Sequence, residues 1–195
     1  MVFRFKISAL LFWVLFGKGS MAQNLELPKE EESIFVALNN KKTYANARSY
    51  RLWGFVLGKK LNDRRLWQLG YYGFTGNLAN SESNLRNQNF WFLGLTNYQN
   101  WRNFKNLYVF VPITLGLGSS NRLDDSGKKQ KSFIFPLELG MEARTMFSPW
   151  LGGKIGLGIR LNFMNDFGTY SGPYYAFGLI VKPKELLVNF GFSRP

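Results

Sequence analysis

From residue 49 onward, large apolar side chains fall on every second position in runs of about ten residues, and turn-forming residues separate the runs. A repeat of two belongs to the β-strand, whose successive side chains point to opposite faces. No helical bundle carries that pattern. The chain has 195 residues, which is one domain of such strands. Hydrophobic residues make up 46% of it, yet the mean hydropathy is −0.17, so apolar and polar residues are interleaved rather than massed.

Eight segments follow the rule. Residues 49–58 set Trp53, Phe55 and Leu57 against Leu52, Gly54, Val56 and Gly58, and residues 65–74 set Trp67, Leu69 and Tyr71 against Gln68, Gly70 and Tyr72. Residues 88–98 set Trp91, Leu93 and Leu95 against Phe92, Gly94 and Thr96. In 105–118, Val109, Val111, Ile113, Leu115 and Leu117 oppose Phe110, Pro112, Thr114, Gly116 and Gly118. In 131–144, Phe133, Phe135, Leu137, Leu139 and Met141 oppose Pro136, Glu138, Gly140, Glu142 and Arg144. In 151–164, Ile155, Leu157, Ile159 and Leu161 oppose Lys154, Gly156, Gly158, Arg160 and Asn162. Residues 172–182 and 185–192 carry Tyr175, Phe177, Leu179, Val181 and then Val188, Phe190, Phe192.

Such a two-faced strand set builds either a soluble sandwich with the apolar face inward or a membrane barrel with that face toward lipid. Glycine separates the two. Gly116, Gly118, Gly140, Gly156 and Gly158 all share the second face. A narrow barrel must fill its interior with side chains of limited size, whereas glycine on a solvated face only weakens strands. The expected fold is therefore all-β, a closed antiparallel transmembrane β-barrel of about eight strands, with ten as the outer limit.

Residues 1–22 read as a secretory signal. Arg4 and Lys6 precede an apolar run from Ile7 to Phe16, and Ser20-Met21-Ala22 supplies small residues before a cleavage site. The run is too short for a membrane helix, which needs ~20 residues. Residues 23–48 read as a periplasmic tail in which 33–39 could be a short strand or helix, and 49–195 as the barrel domain. Long connections near 75–87, 119–130 and 165–171 alternate with short ones. With a first strand at 49–58 and an N-terminus in the periplasm, the long connections fall on the periplasmic side. An extra strand at 33–39 corrects the side but makes the count odd.

Two segments repeat one motif, Val109-Phe-Val-Pro112-Ile-Thr-Leu-Gly116 and Phe133-Ile-Phe-Pro136-Leu-Glu-Leu-Gly140. Across a hairpin, this pattern resembles the small outer-membrane β-barrel proteins common in Bacteroidota, as does the leader ending Met21-Ala22-Gln23. The resemblance covers 49–192 and implies an architecture, with no active site. It departs at the end, where such barrels finish on an aromatic residue and Phe192 is followed by Ser193-Arg194-Pro195.

Composition removes much catalytic chemistry. There is no Cys and no His, so thiolate sites, Ser–His pairs and imidazole ligands cannot be built. Glu138 and Glu142 share a face, but four residues of strand span ~13 Å, beyond the ~9.5 Å limit of paired glycosidase carboxylates. Asp124-Asp125-Ser126-Gly127 lacks the further acids of a calcium loop and reads as a turn. Gly152-Gly153-Lys154 lacks phosphate-loop spacing. No catalytic residue, metal or cofactor is expected.

Two sets of residues stand out instead. Glu138, Glu142, Arg144, Lys154 and Arg160 occupy the inner face of adjacent segments, where acids and bases can pair into a salt-bridged plug. The same cluster could line a polar pathway or ligand site. Trp53, Trp67, Trp91, Trp101 and Trp150, with Tyr98 and Tyr108, lie near segment ends, as interface aromatics do.

The net charge is +13, and the bases cluster in turns (Lys59, Lys60, Arg64, Arg65; Lys128, Lys129, Lys131; Lys182, Lys184). That placement suits anionic lipid headgroups, lipopolysaccharide included, better than the continuous basic face nucleic acid requires. The sequence thus points to a non-enzymatic structural or accessory subunit of a larger cell-envelope complex, in the outer membrane and in contact with other envelope proteins. A small channel or lumenal ligand-binding barrel is the first alternative. A soluble periplasmic sandwich or lipocalin-like binder is the second.

Overall fold

The first strand comes from the stretch that the sequence left between strand and helix. Ile34–Ala45 forms β1, with Phe35, Ala37, Asn39, Lys41 and Thr43 on one face. Polar residues on that face suit an enclosed interior, which explains why the segment does not read as an ordinary strand. The computed structural model describes residues 34–45, 48–62, 65–76, 88–104, 106–123, 128–163 and 170–192. The signal at 1–22 and the turn at 124–127 lie outside the described residues.

After β1 come β2 (Arg48–Asn62), β3 (Arg65–Gly76), β4 (Gln88–Phe104), β5 (Leu107–Leu123), β6 (Lys129–Ile134), β7 (Pro136–Met146), β8 (Leu151–Asn162) and β9 (Gly172–Val181). Strands β6 and β7 both pair with β5 and form two lengths of one barrel strand. Every neighbour is antiparallel, and β1 pairs with β9, for example Leu38↔Leu179. That pairing closes an eight-strand barrel and leaves no open edge.

The repeated proline motif marks the seam beside β5. The β5–β7 register runs to Phe110↔Glu142, passes over Pro112 and resumes at Ile113↔Leu139. Pro136 starts β7 just after the break at Phe135. Proline has no N–H to give the ladder. The Phe135 N–H donates instead to Asn162 Oδ1 at 2.9 Å, and the Phe163 N–H donates to the Phe135 carbonyl at 3.2 Å.

Large apolar side chains face outward. Leu117, Ile155 and Leu157 are 64%, 67% and 66% exposed, and Leu115, Ile159 and Phe177 share that surface. Leu52, Val56, Tyr72, Phe92 and Arg160 are buried within the barrel. Glycine makes room for the bulky inward residues. A Cβ on Gly58 would strike the Phe35 ring, and one on Gly54 or Gly70 would strike Tyr72.

The segment at 185–192, expected as the eighth strand, is a helix. Pro183–Asn189 forms α1, with Pro183 in its first turn and Glu185 beside the N-terminal dipole. Alternate residues Val188, Phe190 and Phe192 gave the strand reading, but Leu186, Leu187 and Phe190 equally follow a helical stripe, and so short a run does not decide. Its place in the barrel belongs to β1, so the barrel begins at Ile34 and not at residue 49.

This exchange of one strand for another also sorts the connections by end. The long ones, 77–87, 124–128 and 163–171, now lie at one end with the hairpin at 46–47. The short turns at 63–64, 105–106 and 147–150, the start of β1 and helix α1 lie at the other.

Candidate functional site

The lumen is the place where the fold concentrates chemistry. The inward face of β7 carries Glu138, Glu142 and Arg144; that of β8 carries Lys154, Arg160 and Asn162; all six are buried. Register alone sets Glu138 opposite Arg160, but it also sets Arg144 opposite Lys154, two like charges. Such a pair is unfavourable unless an anion joins it.

Glu142 is that anion. Its Oε1 accepts from Arg144 Nε at 2.7 Å, and its Oε2 accepts from Lys154 Nζ at 3.2 Å. Tyr98 of β4, on the far side of β5, reaches the same carboxylate, its hydroxyl 3.4 Å away. The Arg144 guanidinium rests 4.2 Å from the Tyr98 ring centroid and 5.0 Å from that of Phe110.

A second network lies nearer the long connections. Glu138 Oε1 accepts from Arg160 Nε at 2.8 Å and from its Nη2, while Oε2 accepts from Lys41 Nζ on β1. Arg160 Nη1 donates to Thr43 Oγ1 at 3.0 Å. Lys41 sits 4.2 Å from the centroid of the Tyr72 ring. Among the described lumenal side chains, four cations (Lys41, Arg144, Lys154, Arg160) thus share two carboxylates. Facing aromatic rings add to the stabilisation of Lys41, Arg144 and Arg160.

Beyond the second network, toward the long connections, lies an aromatic cluster. Phe90 and Tyr170 stack at 4.8 Å, and Tyr50 meets Phe74 edge to face at 6.1 Å. The cavity these rings share with Thr43, Leu52 and Arg160 measures about 10 Å³, room for a single water.

The sequence gives no place to Lys41 or Thr43, because 33–39 reads as strand or helix alike. The usable signal was the run Asn39, Lys41, Thr43 on alternate positions. Tyr98, expected among the interface aromatics, points inward and is 3% exposed. It shares parity with Phe92, Gly94 and Thr96, and that parity was the better guide.

The four tryptophans on described strands face out. Trp53 and Trp101 are well exposed, Trp67 and Trp91 less so, and Trp150 is half-buried. Trp53 and Trp91 lie in the halves of β2 and β4 nearer the long connections. Trp67, Trp101 and Trp150 lie near the short turns. Of the basic turn residues, Lys59, Arg65 and Lys184 are exposed at the short-turn end, and Lys128 and Lys131 at the other.

No family model matches the chain, and no curated protein matches it. Solved structures do. Neisserial surface protein A superposes with a TM-score of 0.58 at 12% identity, over 78% of this chain and 99% of that one. Ail, the attachment invasion locus protein of Yersinia pestis, superposes with a TM-score of 0.52 at 11% identity, over 77% of this chain and 96% of that one. The values are the same for Ail in complex with the heparin analogue sucrose octasulfate. At such identities the likeness is one of fold, an eight-stranded antiparallel barrel of the outer-membrane type.

Proposed function

We propose that this protein is a non-enzymatic outer-membrane barrel with a sealed lumen, serving as a structural or accessory subunit of a larger cell-envelope complex. Its long connections face the cell exterior and its short turns face the periplasm, the usual arrangement of such barrels. Loops contact other envelope proteins, and basic turns contact lipid headgroups, including those of lipopolysaccharide.

The observation that carries this reading is Glu138. It is 1% exposed and holds Arg160 of the neighbouring β8 together with Lys41 of β1, which β9 and β8 separate from it. A carboxylate so engaged acts as a strut of the barrel. Planar-bilayer recording of the purified protein tests the seal. No current, together with stable companions in native-membrane extracts, is the expected result. Steady conductance would replace the strut by a channel. Lipid hydrolysis abolished by Glu138→Gln would make the protein an enzyme. Solubility without detergent would remove the membrane.

One observation favours a second reading. Four cations against two carboxylates leave the described lumen with net positive charge. A small anionic ligand in the lumen would balance it, and isothermal titration of the refolded barrel with inorganic phosphate would detect that balance.

A further inference from the structure

Helix α1 is fixed at both ends by the chain itself. At its start, the Lys182 N–H donates to the Trp150 carbonyl at 2.9 Å, tying the segment to the turn between β7 and β8. At its end, Gly191 has φ of 76°. The Gly191 N–H donates to the Val188 carbonyl at 3.1 Å, and the Phe192 N–H to the Leu187 carbonyl at 3.0 Å. This double bond pattern is the Schellman stop, which returns the residue after the glycine toward the last helical turn. A helix of seven residues is not stable alone in water. Here the stop and the Trp150 tether define it.

What the device holds in place is apolar and outside the barrel. Leu187, Val188, Phe190 and Phe192 are all exposed, Phe192 at 78%, and no residue of α1 is buried. Pro183, Leu186, Leu187 and Phe190 fall on one face of the helix, opposite Glu185 and Asn189. The Phe190 ring lies 6.5 Å from that of Trp150, so the apolar surface continues from the barrel wall onto the helix. Lys182 and Lys184 flank its start.

We infer that residues 183–192 form a foot that lies in the headgroup–acyl boundary of the bilayer leaflet at the short-turn end. Leu187, Phe190 and Phe192 enter the acyl region, and Lys182 and Lys184 sit at the level of the lipid phosphates. Amphipathic helices with these residue types settle ~5–10 Å into that boundary. The barrel supplies the tether that so short a helix lacks. The inference rests on the membrane-spanning reading of the barrel, and it adds a second, peripheral contact with lipid beyond the wall.

The absence of cysteine from the chain makes the test direct. Phe192→Cys and Leu157→Cys each give one thiol for an environment-sensitive fluorophore, and both positions are exposed. The labelled proteins are folded into phosphatidylethanolamine–phosphatidylglycerol vesicles containing nitroxide lipids. At position 192 the expected result is a blue-shifted emission that is lost most strongly to a nitroxide near the acyl carbonyl. At position 157 the loss is greatest with a nitroxide near the chain end. An aqueous, unquenched probe at 192 beside a quenched one at 157 overturns the foot and leaves the membrane barrel standing. Unquenched probes at both positions overturn both.

Discussion

Lys41 of β1 and Glu138 of β7 form an ion pair across the lumen, between strands that β9 and β8 separate in the sheet. The hydrogen-bond ladder holds only neighbouring strands. This pair and its companion Tyr98–Glu142 brace walls that the ladder does not join. The charged residues of the barrel are thus part of its framework.

Replacing Glu138 by Gln strands two buried cations at once. Lys41 and Arg160 would remain beside a neutral amide. Breaking a buried pair by removing one partner costs about 3–5 kcal/mol, because the other charge stays uncompensated. Lys41→Met is the milder change, since Arg160 still engages the carboxylate through Nε and Nη2. Urea unfolding in detergent micelles should therefore rank wild type above Lys41→Met above Glu138→Gln. Equal midpoints would show that the lumen is hydrated enough to solvate the charges.

The alternation of residue types made most of this barrel legible. Outward Leu115, Ile159 and Phe177 and inward Gly116 and Arg160 follow from parity once glycine marks the inner face. Glu138, Glu142, Arg144, Lys154 and Arg160 share the inner parity of their segments and are buried, while their pairing comes from a register that the sequence does not give. Two elements resisted for opposite reasons. Strand β1 hides because its inner positions are polar, and only partners on remote strands make Asn39, Lys41 and Thr43 sensible there. Helix α1 hides because ten residues fit both repeats, and the deciding features are Pro183 and the positive φ of Gly191. Local pattern decides neither. Long-range pairing decides the first and backbone geometry the second.

Glycine positions should separate sharply by what surrounds them. A Cβ on Gly118 would meet the Trp91 carbonyl and the Phe92 Cα, both backbone atoms that cannot rotate away. Overpacking of this kind costs about 1–3 kcal/mol and shifts the β4–β5 pairing. Gly191→Ala meets nothing within 4 Å, but its φ of 76° is strained for any side chain. That strain is about 1–2 kcal/mol and falls on the helix stop alone. Heat-modifiability gels should show a lowered melting point for Gly118→Ala and none for Gly191→Ala. A change in the probe emission at position 192 would report the latter.

The outward wall offers the most direct trial of the barrel's solvent. Leu157 is 66% exposed on β8, flanked by Met141 of β7 and Tyr175 of β9 on the same face. In water, Leu157→Arg would be neutral or favourable, because an exposed apolar side chain gives way to a solvated charge. In hydrocarbon, an arginine on the lipid face of a barrel costs about 2–4 kcal/mol at the bilayer midplane and about 0–1 near the interface. Lys59, also exposed and beside the short turn after β2, supplies the interfacial comparison. Lys59→Leu should leave folding into lipid vesicles almost unchanged, whereas Leu157→Arg should lower the unfolding free energy, and so the stability, by an amount in the midplane range. Folding equilibria measured in vesicles over a urea gradient give both values. If the arginine variant folds as readily as wild type, water rather than lipid surrounds that wall.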